Sequence, residues 1–270
     1  MTVPVIRPLS ERRTGGVRIE GLSSIGEPGR AVLTALERMR RSLPLASRAD
    51  LMELLDGGCL SMPEVEENLA DLARLNRLPG GVSASIAGMR RLIDRGGPAH
   101  VIDVGTGQAD IPLAFANEGW QVTAVDANPE VLGIARRATS QEPRVTIVAA
   151  GAHALPFPDD AFDVAHGSLL MHHLDPSDAI SALREMRRVA RRGVVINDLR
   201  RGLLPLAATA VSVMALGRSG VTRADGVASA RRAYTLPELD RLIAEAELRV
   251  TWRSTPWMPR VVSVATGAAT

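Results

Sequence analysis

The stretch Val101-Ile102-Asp103-Val104-Gly105-Thr106-Gly107-Gln108-Ala109-Asp110 decides the fold. A short aliphatic run ends in two glycines, and a helical pattern from Ala109 to Glu118 starts directly behind them. A glycine-rich turn between a strand and the helix that follows lets a ligand approach the main chain at the helix N-terminus. A dinucleotide-binding G-x-G-x-x-G would need glycine at position 110. The chain has Asp110, whose carboxylate would face a pyrophosphate, so a nicotinamide or flavin dinucleotide is disfavoured. Asp126 closes the next aliphatic run about twenty residues on, where an acid accepts hydrogen bonds from ribose hydroxyls. A nucleoside ligand is implied, with no phosphate required. Asp103, just before the glycines, either braces the turn by bonding backbone amides or faces a cationic ligand.

Outward from this stretch, short aliphatic runs alternate with helical segments, the pattern of βαβ units and a parallel sheet. Strands are expected at His100 to Val104, Gln121 to Asp126, Val145 to Ala149, Phe162 to His166 and Gly193 to Asp198. Helices are expected at Ala109 to Glu118, Pro129 to Ala138 and Ser177 to Ala190. Thr235 caps a further helix, Leu236 to Ala246, and two last strands follow, Leu248 to Ser254 and Val261 to Thr266. Upstream, residues to about Arg30 read as a loose arm rich in Gly, Pro, Ser and Arg. Helical spacing then appears at Ala31 to Leu43, Ala49 to Asp56, from the N-cap Ser61 to Leu78, and at Val82 to Asp94. The expected organisation is an arm and helical cap over residues 1–98 and a ligand-binding domain over 99–270. An insertion or lid at about 199–234 interrupts the second.

Composition narrows the partners. Of 270 residues 46% are hydrophobic, which leaves enough apolar side chain for a sizeable core. Only 3% are aromatic, so the stacking platforms of single-stranded nucleic-acid binders are hard to build. The net charge is +2 and every basic residue is arginine, so the pI of 9.4 reflects near balance with high-pKa cations and no basic patch. One cysteine, Cys59, excludes an intrachain disulfide and suits a reducing compartment. The first thirteen residues lack the apolar core of a signal peptide, and the longest apolar stretch, Leu203 to Gly217, is broken by Pro205 and too short to span a bilayer. A cytoplasmic protein is expected, with no nucleic-acid partner, no stable membrane span and no metal.

On these residues the chain resembles the class I S-adenosylmethionine-dependent methyltransferases, over about Ala99 to Thr266. The resemblance implies a Rossmann-like, doubly wound, seven-stranded, mostly parallel sheet with an antiparallel last strand. Asp103, Gly105 and Gly107 match the family's first motif, with Thr106 between the glycines and Ala109 where many members have a third glycine. Asp126 matches its acidic ribose ligand, followed by Ala127 and Asn128 beside the adenine. The stretch Gly151-Ala152-His153-Ala154-Leu155-Pro156-Phe157-Pro158-Asp159-Asp160-Ala161-Phe162-Asp163 resembles the family's segment around the third and fourth strands. Many members place an Asp on the adenine amino group there. Here that position is Gly151, which leaves the amide of Ala152 and His153 for the adenine. The implied cofactor is S-adenosylmethionine, its product S-adenosylhomocysteine.

Methyl transfer from a sulfonium is an in-line displacement, so catalysis is mainly positioning and exclusion of water. A hydroxyl acceptor must also lose a proton. His172 and His173 follow the fourth strand, and Asp198 ends the fifth, on the same sheet edge. An imidazole whose tautomer is fixed by a carboxylate is an effective general base. The arrangement is similar to a His and Asp dyad of some small-molecule O-methyltransferases, which implies His172 as base and Asp198 as its orienting partner. The alternatives are that His173 is the base, that these histidines bond backbone at the strand end, and that Asp198 caps the turn. In the insertion, Leu203, Leu204, Leu206, Val211, Val213, Met214 and Leu216 are expected to form an apolar wall suited to an aromatic or lipophilic acceptor, or to pack on the sheet. Tyr234 either reaches the pocket or staples the next helix. Asn76 and Arg77 either touch the methionine carboxylate or lie on the surface. The expected activity is O-methylation of a phenolic or polyketide-type secondary metabolite. C-methylation of a quinone-like acceptor, or a non-catalytic sensor of the donor, are the alternatives. Base amino methylation is disfavoured, because no N-P-P-Y type run is present.

Overall fold

The computed structural model describes residues 45, 47–49, 51, 53–54, 60–78, 80–94, 97–254 and 259–267. The arm and the helix expected at Ala31 to Leu43 lie outside the described residues. Of the short helix expected at Ala49 to Asp56, the described residues 49, 51, 53 and 54 are not helical. Their backbone is held by distant partners instead: Ala49 N–H donates to Arg231 O and Leu54 N–H to the Asp225 carboxylate.

Helix α1 (Met62–Asn76) starts where Ser61 and Glu64 form a reciprocal capping box, with Pro63 in the first turn. Caps of this kind contribute about 1 kcal/mol. Helix α2 (Val82–Met89) is shorter than its apolar pattern suggests and passes into turns at Arg90. Then come β1 (His100–Val104), α3 (Asp110–Asn117), β2 (Gln121–Asp126), α4 (Pro129–Ala138), β3 (Val145–Ala149), β4 (Phe162–Ser168), α5 (Pro176–Val189) and β5 (Ala190–Leu199). The chain finishes with α6 (Leu203–Leu216), α7 (Gly220–Arg232), α8 (Leu236–Glu245), β6 (Leu248–Arg253) and β7 (Arg260–Gly267).

The seven strands form one sheet in the order β3-β2-β1-β4-β5-β7-β6. Pairs among β1 to β5 are parallel, and β7 runs antiparallel to both β5 and β6. This is the expected doubly wound architecture. All seven residues of β4 are buried, as the near-continuous apolar strands of a parallel sheet require when helices cover both faces. One face packs Ile102, Phe162, Ala165 and Ile196 against Leu183 and Met186 of α5 and Ile243 of α8. The other packs Val101, Val164 and Val195 against Met89 of α2 and Phe115 of α3. Order reverses between β1 and β4, so their carboxyl ends frame the crevice where open α/β sheets bind ligands.

The insertion after β5 is a pair of helices, α6 and α7, but it does not form the expected apolar wall. Leu204, Val211 and Met214 are 80%, 70% and 61% exposed, and Leu203 and Leu216 also face outward. Helical periodicity turns the small residues inward: Ala208, Thr209, Ser212 and Val213 line the cavity described below. Among the described residues no helix is long and apolar enough to cross a membrane.

Candidate functional site

A cavity of about 860 Å3 lies at the carboxyl ends of β1, β2, β4 and β5, and it is lined at one end by the glycine turn and at the other by the histidines. That volume lies within the roughly 300–1,000 Å3 of small-molecule sites.

At the turn, Gly105 has φ +73° and Gly107 φ +56°. A Cβ on Gly105 would stand 3.0 Å from Leu170 Cδ1, so a side chain there would press on the segment that leads into the histidine turn as well as strain the backbone. Ala109, in the place of a third glycine, has φ +67°, which explains why glycine suits that position. The Gly105 and Thr106 amides both donate to Val125 O, and the Gly107 amide donates to Asp126 Oδ2 at 3.1 Å. These amides tie the turn to β2. The turn therefore offers a ligand close approach to the main chain, while its own N–H groups are already engaged.

Asp103 is a brace. Its Oδ1 accepts from His166 Nδ1 at 2.6 Å and its Oδ2 from Thr106 Oγ1 at 2.8 Å. Ser85 Oγ lies 2.9 Å from His166 Nε2, to which its hydroxyl donates, and accepts from Asn197 Nδ2 at 2.8 Å. Asp126 spans the mouth of the turn, accepting from Gly107 N and from Asn128 N at 3.0 Å. Burial pushes its carboxyl above the usual carboxylate range, against the amides of Asn128, Gly107 and Ala127. Each carboxylate oxygen keeps a second acceptor position for a hydroxyl. Ala127, Gly151, Ala152 and His153 line the same end of the cavity, with His153 exposed.

At the far end, residues Met171–His173 form one turn of 3-10 helix after β4. Leu169, just before it, has φ +53°, an uncommon backbone for a branched side chain. His172 is buried, its Nδ1 donates to Asp198 Oδ1 at 2.6 Å, and its amide donates to Asp198 Oδ2 at 3.2 Å. Burial works against the Asp198 charge, but the His172 ring and hydrogen bond, the Leu199 amide and His173 outweigh it and lower this carboxyl below the usual range. Asp198 thus touches both the His172 ring and the backbone of the turn. Tyr234 is buried away from the cavity and donates to Leu174 O at 2.7 Å; burial pushes its phenol up to about 12. It packs in one cluster with Leu239 beside the Thr235–Glu238 capping box, the staple reading.

Three residues of this site escaped sequence reasoning. Arg260, at the start of β7, is buried and lines the cavity, donating to Asn76 Oδ1 at 2.5 Å, Ser168 Oγ at 2.6 Å and Asn197 Oδ1 at 3.2 Å. Burial lowers its guanidinium to about 10. An arginine heading an apolar strand was the available signal. Asn76 also donates to Asp110 Oδ2 at 2.9 Å, while Arg77 is exposed and outside the cavity lining. Burial is the main cause that raises the Asp110 carboxyl above its usual range. Glu53 comes from the segment before α1, and its Oε1 lies 3.7 Å from His172 Nε2. Arg48 holds that segment down by donating to His172 O and Leu174 O, each at 2.8 Å, and to Arg232 O at 2.7 Å. Nothing in the local pattern marks either residue, because their partners lie far along the chain.

Residues 101–193 match the model of the methyltransferase domain family. Over these residues the chain is similar to a methyltransferase domain. Malonyl-[acyl-carrier protein] O-methyltransferase of Pseudescherichia vulneris is 33% identical over 135 residues, 49% of each chain. Ubiquinone/menaquinone biosynthesis C-methyltransferase of Geobacter sp. (strain M21) is 30% identical over 118 residues, 41% of this chain and 49% of that one. The chain thus spans about half the length of these relatives. A crystal structure of a SAM-dependent methyltransferase from Aquifex aeolicus superposes with a TM-score of 0.55 at 19% identity, covering 76% of this chain and 98% of that one, which shows the shared fold.

The residues at this end of the cavity fit the cofactor implied by that likeness, S-adenosylmethionine. A Cβ at Gly107 would meet nothing nearer than Leu69 Cδ2 at 3.9 Å, so the turn is open to the cavity where a nucleoside would lie. Asp126 stands at its rim with acceptor capacity to spare.

Proposed function

We propose that this protein transfers a methyl group from S-adenosylmethionine to a small-molecule acceptor, and that the acceptor atom is a hydroxyl of a phenolic or polyketide-type metabolite. When bound, the cofactor supplies an electrophilic methyl group on a sulfonium. Asp126 would hold the ribose hydroxyls, with Gly105, Thr106 and Gly107 beneath the nucleoside and Ala127, Ala152 and His153 along the adenine. Asp103 would act through the turn it braces. Arg260, a buried cation with Asn76 beside it, would face the methionine carboxylate.

The observation that carries the reading is the joint placement, in one cavity, of the glycine turn and of an imidazole held by a buried carboxylate. Asp198 keeps a proton on Nδ1, so Nε2 is the lone pair that faces the cavity. His172 would take the acceptor's hydroxyl proton at Nε2 as its oxygen attacks the methyl group. Asp198 stabilises the imidazolium that results. The helix pair over residues 199–234 would close the acceptor side, with residues 99–270 as the donor-binding domain.

C-methylation is the second reading, supported by the likeness to a relative named as a C-methyltransferase. A carbon acid that is already acidic would not need His172. Incubation with methyl-labelled S-adenosylmethionine and a panel of phenols and quinols, with product mapping, tests both. Label on oxygen is expected. Label on carbon selects the second reading, and absence of affinity for S-adenosylmethionine or S-adenosylhomocysteine removes both.

A further inference from the structure

We propose that Glu53, His172 and His173 form a binding site for one divalent transition-metal ion at the acceptor end of the cavity. One ligand atom from each of these side chains lies within 4.8 Å of the others. Glu53 is only 4% exposed, and its Oε1 has no hydrogen-bond partner. A carboxylate oxygen taken out of water without a donor is costly, and a protein keeps one where something positive completes it. The groups that face it are His172 Nε2 at 3.7 Å from Oε1 and His173 Nε2 at 3.8 Å from Oε2. With its Nδ1 proton donated to Asp198, neutral His172 presents only a lone pair on that side. Acceptors therefore converge where a donor would be expected.

The donor set indicates the class of ion. Two imidazoles and one carboxylate suit zinc, cobalt or nickel, whereas magnesium and calcium prefer all-oxygen shells. Tetrahedral sites with bonds of about 2.0–2.2 Å separate their donors by roughly 3.4 Å, close to the two spacings to Glu53. Asp198 already occupies the outer position on His172 that metal-bound histidines give to a carboxylate. The rings of His172 and His173 lie 4.3 Å apart at 35°, so neighbouring residues of one turn supply two ligands. The third is fixed in place by Arg48 and by the Leu54 to Asp225 hydrogen bond. Three protein ligands leave a coordination position for water or an acceptor oxygen. One consequence rests on the methyl-transfer reading: Nε2 has a single lone pair, so a bound ion displaces the proton transfer assigned to His172 and suppresses it. The ion site itself does not depend on that reading.

The test uses the full chain without a histidine tag. Calorimetric titration with ZnCl2 should show one ion per chain, and CoCl2 should give the visible absorption of a low-coordinate site. In the unmutated chain, Co2+ should broaden the imidazole signals of His172 and His173 among its five histidines. Glu53→Gln and His173→Asn should each weaken binding by at least ~10-fold, and Asp198→Asn by ~10–100-fold. S-adenosylhomocysteine binding, measured in every variant, reports that the fold is intact. No stoichiometric ion, broadening confined to His100 or His153, or affinity untouched by both ligand substitutions would overturn the site. Loss of S-adenosylhomocysteine affinity in the unmutated chain would instead sink the methyl-transfer reading and leave the ion result standing.

Discussion

Two histidine–aspartate pairs stand at the same edge of the sheet with the same geometry, His166 with Asp103 and His172 with Asp198, each joined Nδ1 to Oδ1 at 2.6 Å. The difference is what the second nitrogen meets. His166 lies directly across from Asp103 in the β1–β4 register, and its Nε2 meets the fully buried Ser85 hydroxyl, itself bonded by Asn197. A chain of donors runs Asn197, Ser85, His166, Asp103, and every member is satisfied. A serine, a histidine and an aspartate in this order suggest a nucleophile, but no substrate reaches a serine that is 0% exposed. His172 Nε2 meets a cavity and Glu53 Oε1, which has no hydrogen-bond partner. The same pair is thus a brace in one place and a reactive group in the other, and access to the second nitrogen separates them.

Substitution of each histidine is the sharpest way to break that comparison. His172→Ala should lower turnover by ~10²–10⁴-fold, the range of general acid–base catalysis, with little change in S-adenosylhomocysteine affinity by calorimetry. Equal losses of turnover from His172→Ala and from His166→Ala in donor-saturated protein would show that the two pairs do not differ in role. Asp126→Ala removes an acceptor expected to hold ribose hydroxyls, and a charged hydrogen bond of about 1.5–3 kcal/mol corresponds to a ~10–100-fold loss of donor affinity. His166→Ala leaves Asp103 and Ser85 short of partners inside the protein, so denaturant unfolding should show about 1–3 kcal/mol of lost stability.

The smallest effect concerns acid. The Asp198 carboxyl is lowered in the folded chain, so its contribution to stability is present above its ordinary value of 3.8 and is lost as pH falls through the folded value. Melting temperatures from neutral pH down to about pH 3 should therefore converge for the unmutated chain and Asp198→Asn as the solution becomes acidic. A difference that stays constant with pH would mean that the pair contributes packing alone. Asp126 has the opposite sign: its raised carboxyl takes up a proton at higher pH than an ordinary aspartate, so donor affinity should weaken early on acidification.

Much of the architecture was legible because it is written in local, periodic chemistry. Gly105 and Gly107 punctuate a strand and a helix, Ser61 and Thr235 cap helices with Glu64 and Glu238, and aliphatic runs mark β1 to β5. Composition shows that the helix with Leu203, Leu204, Val211 and Met214 is apolar, while only packing shows which side faces in. The local pattern leaves Tyr234 two environments, and the Leu174 carbonyl selects one of them.

By itself the sequence determined the alternation of strands and helices and the glycine turn with Asp126 behind it, since each depends on neighbours in the chain; it brought His172 and Asp198 to one sheet edge and left their contact open. Tertiary structure alone decided that Arg48 pins Glu53 over the histidine turn, that Arg260 is buried beside Asn76, and that His166 is sealed by Ser85. Those contacts join segments that no periodicity relates. They arise when a folded core brings charged and polar groups together out of water, where each must find a partner among whatever the packing has placed beside it.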